Sequence, residues 1–138
     1  MINGFVNVPV LVPADNIIPF AGSRAETKNS CVCNGGWLYH AEGSGQFLLT
    51  KPGIYHVAFG AQITAEAAGD ATFTINSNGE AIAGSEMGVT LAAAGLGNIS
   101  RDVLVVVPCG ASVTITVENT SATGITVNAA SIVIVREC

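Results

Sequence analysis

The fold turns on Gln46-Phe47-Leu48-Leu49-Thr50-Lys51-Pro52-Gly53-Ile54-Tyr55-His56-Val57-Ala58-Phe59. Phe47 and Leu49, two residues apart, lie on one face of a strand. Lys51-Pro52-Gly53 then breaks the pattern: proline presets φ and glycine accepts positive φ, which predicts a type II turn. Beyond it Tyr55, Val57 and Phe59 recur at period two, so three large side chains share one face of a second strand. That strand is expected from Ile54 to about Glu66.

The rest of the chain repeats this grammar. Residues 4–13 read as a strand in which Val6, Val8, Val10 and Val12 share a face, with Pro9 marking it as an edge or a bulge. Ile17-Ile18-Pro19-Phe20 reads as a short second strand, and residues 21–36 as the longest irregular stretch. Trp37-Leu38-Tyr39-His40 is a short aromatic strand. Ala71 to Asn76 alternates, with Phe73 and Ile75 inward, and Asn78-Gly79 is a hairpin signal. Residues 98–107 form a strand, Val113, Ile115 and Val117 line another, and Ile125 to Val135 holds the last. Residues 84–97 are rich in glycine and alanine. Residues 103–107 and 131–135 carry apolar residues on both faces, which predicts burial on both. A two-sheet sandwich buries one face per strand, so the second face is expected to meet another subunit.

Composition agrees. Hydrophobic residues make up 49% of the 138, but aromatics only 6%. The apolar mass is Ala, Val, Ile and Leu, and β-branched residues suit a pleated sheet. Charged residues are 11%, against about 25% in an ordinary soluble domain, as expected where other subunits cover much of the surface. The net charge of −5 and the scatter of Arg24, Lys28, Lys51, Arg101 and Arg136 argue against a nucleic-acid partner. No segment reaches the ~18 apolar residues of a membrane span. The start lacks the basic and apolar regions of a signal peptide, so synthesis in a cytoplasm and release by another route, such as lysis, is expected. Cys31 and Cys33 are too close to pair without distortion. With Cys109 and Cys138 single, free thiols are expected rather than zinc. Cys138 is placed to cross-link subunits in an oxidising setting.

Catalytic signatures are missing. No Gly-x-Ser-x-Gly elbow occurs, and Gly95-Leu96-Gly97 lacks the third glycine of a dinucleotide loop and the lysine of a phosphate loop. Glu42, Glu66, Asp70, Glu80 and Glu86 lack calcium-loop spacing. His40 and His56 lie in separate strands and read as packed or interface residues. No enzyme activity, cofactor or metal is expected.

Short strands, turns every few residues and no helix signal together indicate an all-β sandwich or jelly roll spanning residues 1–138, with 1–3 as a short tail. The spacing Phe47-x5-Gly53-x-Tyr55-x-Val57-x-Phe59 resembles the signature of the tumour necrosis factor-like and complement globular-head superfamily. The Pro108-Cys109-Gly110 turn and the terminal apolar strand fall where that family has them. The resemblance implies a ten-stranded jelly roll assembled as a homotrimer. It implies that Tyr55 and Val57 fill the core, and that His56, Ala58 and Gly60 face the neighbouring subunit with Ile132 and Ile134. The chain departs from the family in ending Arg136-Glu137-Cys138 and in lacking large aromatics at the trimer axis. The Val-Pro-rich opening, Ile-Pro-Phe and Trp-Leu-x-His are similar to a bacterial and phage branch. That branch implies a decoration or head-fibre protein on a tailed-phage capsid, partnered by the major capsid protein. Its other form is a recognition head on a spore surface or appendage, with loops such as 84–97 taking a receptor or a host-surface glycan.

Overall fold

A computed structural model describes residues 1–24 and 38–137. Cys31, Cys33, Lys28, Trp37 and Cys138, singled out above, lie outside the described residues. Among the described residues there are twelve strands. They are β1 (Ile2–Val6), β2 (Val10–Val12), β3 (Gly22–Arg24), β4 (Leu38–His40), β5 (Phe47–Leu49) and β6 (Gly53–Ala65). After them come β7 (Gly69–Ser77), β8 (Glu80–Ala81), β9 (Met87–Leu91), β10 (Leu96–Val107), β11 (Val113–Asn119) and β12 (Ile125–Arg136). They form two antiparallel sheets. The first runs β10-β6-β12-β1-β3, with β2 also on β12; the second runs β4-β5-β11-β7-β8, with β9 also on β7.

The long strands turn alternate side chains inward, so the two sheets share one core. Phe47 of β5 and Tyr55, Val57 and Phe59 of β6 are fully or almost fully buried. The Phe20 ring meets Phe47 and Phe59 edge-on, with centroids 5.2 and 6.4 Å apart. The His40 ring stacks on Phe47 at 4.3 Å. Its Nε2 lies 2.7 Å from the Ser44 carbonyl oxygen, which assigns the ring proton to Nε2. Gly4 of β1 faces Phe47 across the sandwich. A Cβ there would overlap the Phe47 ring, with Cε1 at 2.8 Å, so this contact between the sheets exists only because residue 4 has no side chain.

Several expectations change. The predicted strand 4–13 is two strands, because Pro9 ends pairing between Val6 and Val10. Val8 therefore leaves the shared face and is exposed. Ile2 and Asn3 are not a tail: they pair with Ile134 and Val133. Gly22–Arg24, read as irregular, pairs with β1, whereas 17–20 makes only an isolated bridge, Ile17 to Glu118. Gly53 is already in β6, opposite Val107, at φ 149°, rather than inside a type II turn. The loop before it is fixed by side chains instead. The Tyr55 hydroxyl donates to the Lys51 carbonyl at 2.7 Å, and Arg136 Nη2 donates to the Pro52 carbonyl at 2.8 Å. Asn78 and Gly79, at φ 52° and 85°, make the expected hairpin turn between β7 and β8.

A second polar pin closes one end. Asn119, fully buried, donates through Nδ2 to the carbonyls of Val12 (2.9 Å) and Thr123 (3.1 Å) and accepts from the Ser121 amide at 2.9 Å. It ties the end of β2 to the β11–β12 loop.

Candidate functional site

In an antiparallel ladder, residues directly opposite one another project to the same face. The register therefore lays out the outer face of the first sheet. Val106 lies opposite Ile54. Leu104, His56 and Val135 form the next row, then Asp102, Ala58 and Val133, then Ser100, Gly60 and Ser131. Asn3 and Phe5 of β1 extend the last two rows. There the Arg24 guanidinium sits 4.9 Å over the Phe5 ring and donates from Nε to Asn3 Oδ1 at 2.9 Å.

At one end this face is apolar and open. Leu104 is 64%, Val106 65% and Ile54 38% exposed. In the middle it is small: Gly60, Ser100, Ala129 and Ser131 line a shallow groove of about 460 Å³. A Cβ on Gly60 would meet nothing nearer than 3.9 Å, so nothing within the subunit requires glycine there.

Among the described residues His56 is the one titratable ring on this face. Its Nε2 lies 3.5 Å from Asp102 Oδ2 and its Nδ1 3.7 Å from Glu137 Oε1. Both are too long for good hydrogen bonds, so the cluster becomes a pair of ion contacts only when the ring is protonated. No described group of three or more His, Cys, Asp and Glu could hold a metal ion. No described helix is long and apolar enough to cross a membrane.

His56, Ala58 and Gly60, expected to face a neighbour, do lie on this outer face. Ile132 and Ile134 do not. Both are fully buried and point into the sandwich with Val57 and Phe59. The outward residues of β12 are Ser131, Val133 and Val135. An all-apolar run has no visible phase, so only the register could separate the two faces. The doubly apolar runs are likewise buried on one face only: Leu104 and Val106 stand in the open. Sequence reading did not single out Leu104, Val106 and Ile54, although the former two lay in a run marked for its apolar second face.

Burial pushes the Tyr55 phenol above its ordinary range, and the neighbouring Arg136 partly opposes the shift. Cys109, in the β10–β11 turn, is exposed.

No family model and no curated protein matches the chain by sequence. Solved structures match it closely in shape. The globular domain of zebrafish complement 1qA protein superposes with a TM-score of 0.72 at 10% identity, covering 99% of this chain and 96% of that one. Eiger TNF from S. frugiperda gives 0.68 at 10% identity, covering 99% and 93%. Murine APRIL gives 0.58 at 8%, covering 95% and 96%. The chain thus has the jelly-roll fold these proteins share, over nearly its whole described length.

Proposed function

We propose that this protein is a non-enzymatic, homotrimeric binding head that associates through the outer face of its first sheet. One observation carries the reading: Leu104, Val106 and Ile54 form an open apolar patch at one end of this face, and further along the same strands Gly60 lines a groove. Exposed apolar patches of this kind, next to small residues that let backbones approach, mark association surfaces. The low charge content points the same way. The likeness to complement and TNF heads supports a trimer over other assemblies.

The further reading is that the head serves a larger particle, in the first place the capsid of a tailed phage, where it would grip the major capsid protein as a virion decoration or head fibre. The resemblance of the Val-Pro-rich opening supports it. A head on a spore surface or secreted appendage is the alternative. Light scattering on the purified chain, with and without reductant, tests the assembly. A trimer in both supports the face described. A trimer lost on reduction moves the weight to disulfides such as one through Cys109. A monomer removes the reading. Binding to isolated capsid shells, against binding to whole cells, then separates the two particles.

A further inference from the structure

The outer face of the second sheet has the opposite character. Ile17, Gln46, Asn76, Asn78, Thr116 and Glu118 line a groove of about 470 Å³. It adjoins a second groove of about 360 Å³, which shares Gln46 and holds Tyr39 and Leu48. Both lie on the sheet turned away from Leu104, Val106 and Gly60.

The floor of this groove is pre-ordered. The Thr74 hydroxyl donates to Asn76 Oδ1 at 2.8 Å, and Asn76 Nδ2 donates to Glu118 Oε2 at 2.9 Å. This chain fixes the carboxylate and leaves its second oxygen as an acceptor. Asn78 Oδ1 accepts from the Thr114 backbone amide at 2.9 Å, which leaves the side-chain NH2 to donate. Thr116 is only 7% exposed although its side chain leaves the sheet on the outer side. Neither its hydroxyl nor the Gln46 side-chain amide has a protein partner among the described residues. The Tyr39 ring, 61% exposed, stands at the far end.

We infer that the groove from Tyr39 to Glu118 binds a neutral saccharide. A sugar presents hydroxyls that both donate and accept, and a C–H face that packs on an aromatic ring. The groove offers the matching set: a locked carboxylate and amide oxygens as acceptors, amide NH2 groups and a hydroxyl as donors, and a tyrosine ring and Leu48 as apolar platform. Because Asn76, Asn78 and Glu118 are already held by hydrogen bonds, little ordering entropy is lost at these side chains on binding. Among the described residues Glu118 is the only charged side chain lining either groove, and it is anionic, so sialylated and phosphorylated sugars are disfavoured. The inference deepens the binding-head reading and rests on it only in taking the chain to be a recognition module; the groove needs no second subunit.

The test is saturation-transfer NMR on the full chain with maltotriose, cellotriose, fully N-acetylated chitotriose and mannotriose, and with sialyllactose as the charged control. At least one neutral trisaccharide is expected to show saturable transfer, and sialyllactose none. Thr116→Val, which keeps the side-chain shape, and Tyr39→Ala, at an exposed ring, each weaken binding about tenfold, the loss of one good contact. Leu104→Ala, on the other sheet, leaves it unchanged. No saturable transfer with any neutral trisaccharide overturns the inference, as does binding that survives both groove substitutions or that favours sialyllactose. Light scattering on the same samples keeps the two readings apart: a trimer that takes no sugar removes the groove site alone, and a monomer that takes sugar removes the association face alone.

Discussion

Truncating Leu104 to alanine tests the association face most directly. In the isolated subunit Leu104 is 64% exposed, opposite His56 in the ladder and beside Val106. Its side chain contributes little to the monomer fold, so the variant should unfold within about 0.5 kcal/mol of the wild type. In a trimer closing over this face, the remaining two-thirds of the side chain leaves water. Burying a whole leucine is worth about 1.5–3 kcal/mol, so the outstanding share is about 1–2 kcal/mol per copy and about 3–6 kcal/mol over a trimer. At about 1.4 kcal/mol per tenfold, the trimer association constant should fall by roughly 10²–10⁴. Sedimentation equilibrium over a dilution series reads that constant, and urea unfolding of the dilute subunit reads the fold. An unchanged association constant in a folded variant refutes the face. A large loss of subunit stability refutes the assumption that this side chain is idle in the monomer.

Other expected outcomes rest on single contacts. Gly60→Val fills the groove on the association face and should abolish trimers in light scattering, while leaving the circular dichroism of the subunit unchanged. Gly4→Ala drives a methyl into the Phe47 ring and should cost about 1–3 kcal/mol in urea unfolding, the usual range for overpacking. Asn119→Ala strips the buried Val12 carbonyl and the part-buried Thr123 carbonyl of their donor and should cost about 1–3 kcal/mol by the same measurement. Tyr55 titrates higher when folded than unfolded, so its stabilising contribution is present below its unfolded value, about pH 10, and is lost as pH rises through the folded one. The thermal midpoint of the wild type should therefore fall relative to Tyr55→Phe only above about pH 10; a gap that stays constant with pH would show that the phenol's ionisation plays no part.

Much of the fold was legible because its strands alternate. Phe47, Tyr55, Val57 and Phe59 announced an inward face, as did Phe73, Ile75, Val113, Ile115 and Val117, and all are buried. The errors fall where alternation fails. Pro9 broke a strand whose valines looked continuous, since period two carries no information about a missing ladder bond. Gly22–Arg24 has no β-branched residue and pairs only because β1 offers it an edge. At Ile132 to Val135 every residue is apolar, so neither face declares itself. The resemblance put Ile132 and Ile134 at an interface; their pairing with Phe59 and Val57 puts them in the core.

The two outer faces show why sites are harder to read than cores. A core position announces itself through its own strand. A surface site is made by neighbours from different strands, and its members carry no mark of one another. Leu104 and Val106 are unremarkable valine-strand residues until the register sets them beside Ile54 and His56. Asn76 and Glu118 lie 42 residues apart in the chain and meet only because β7 pairs with β11. Thr116 looks like an ordinary solvent-side threonine in an alternating strand, and only the structure shows it nearly buried at the floor of a groove. The same physics sets the two faces apart. On the first sheet small and apolar residues line up across strands, which favours contact with another protein surface. On the second, side-chain amides, hydroxyls and one carboxylate line up; hydrogen bonds hold Asn76 and Glu118 in place, and Thr116 and Gln46 are left open to a polar ligand. A trimer closing over the first sheet would leave the second facing outward, so assembly and recognition need not compete for surface. Leu104→Ala and Thr116→Val should then act independently, and a double variant whose losses in association and in sugar binding match those of the single variants would show it.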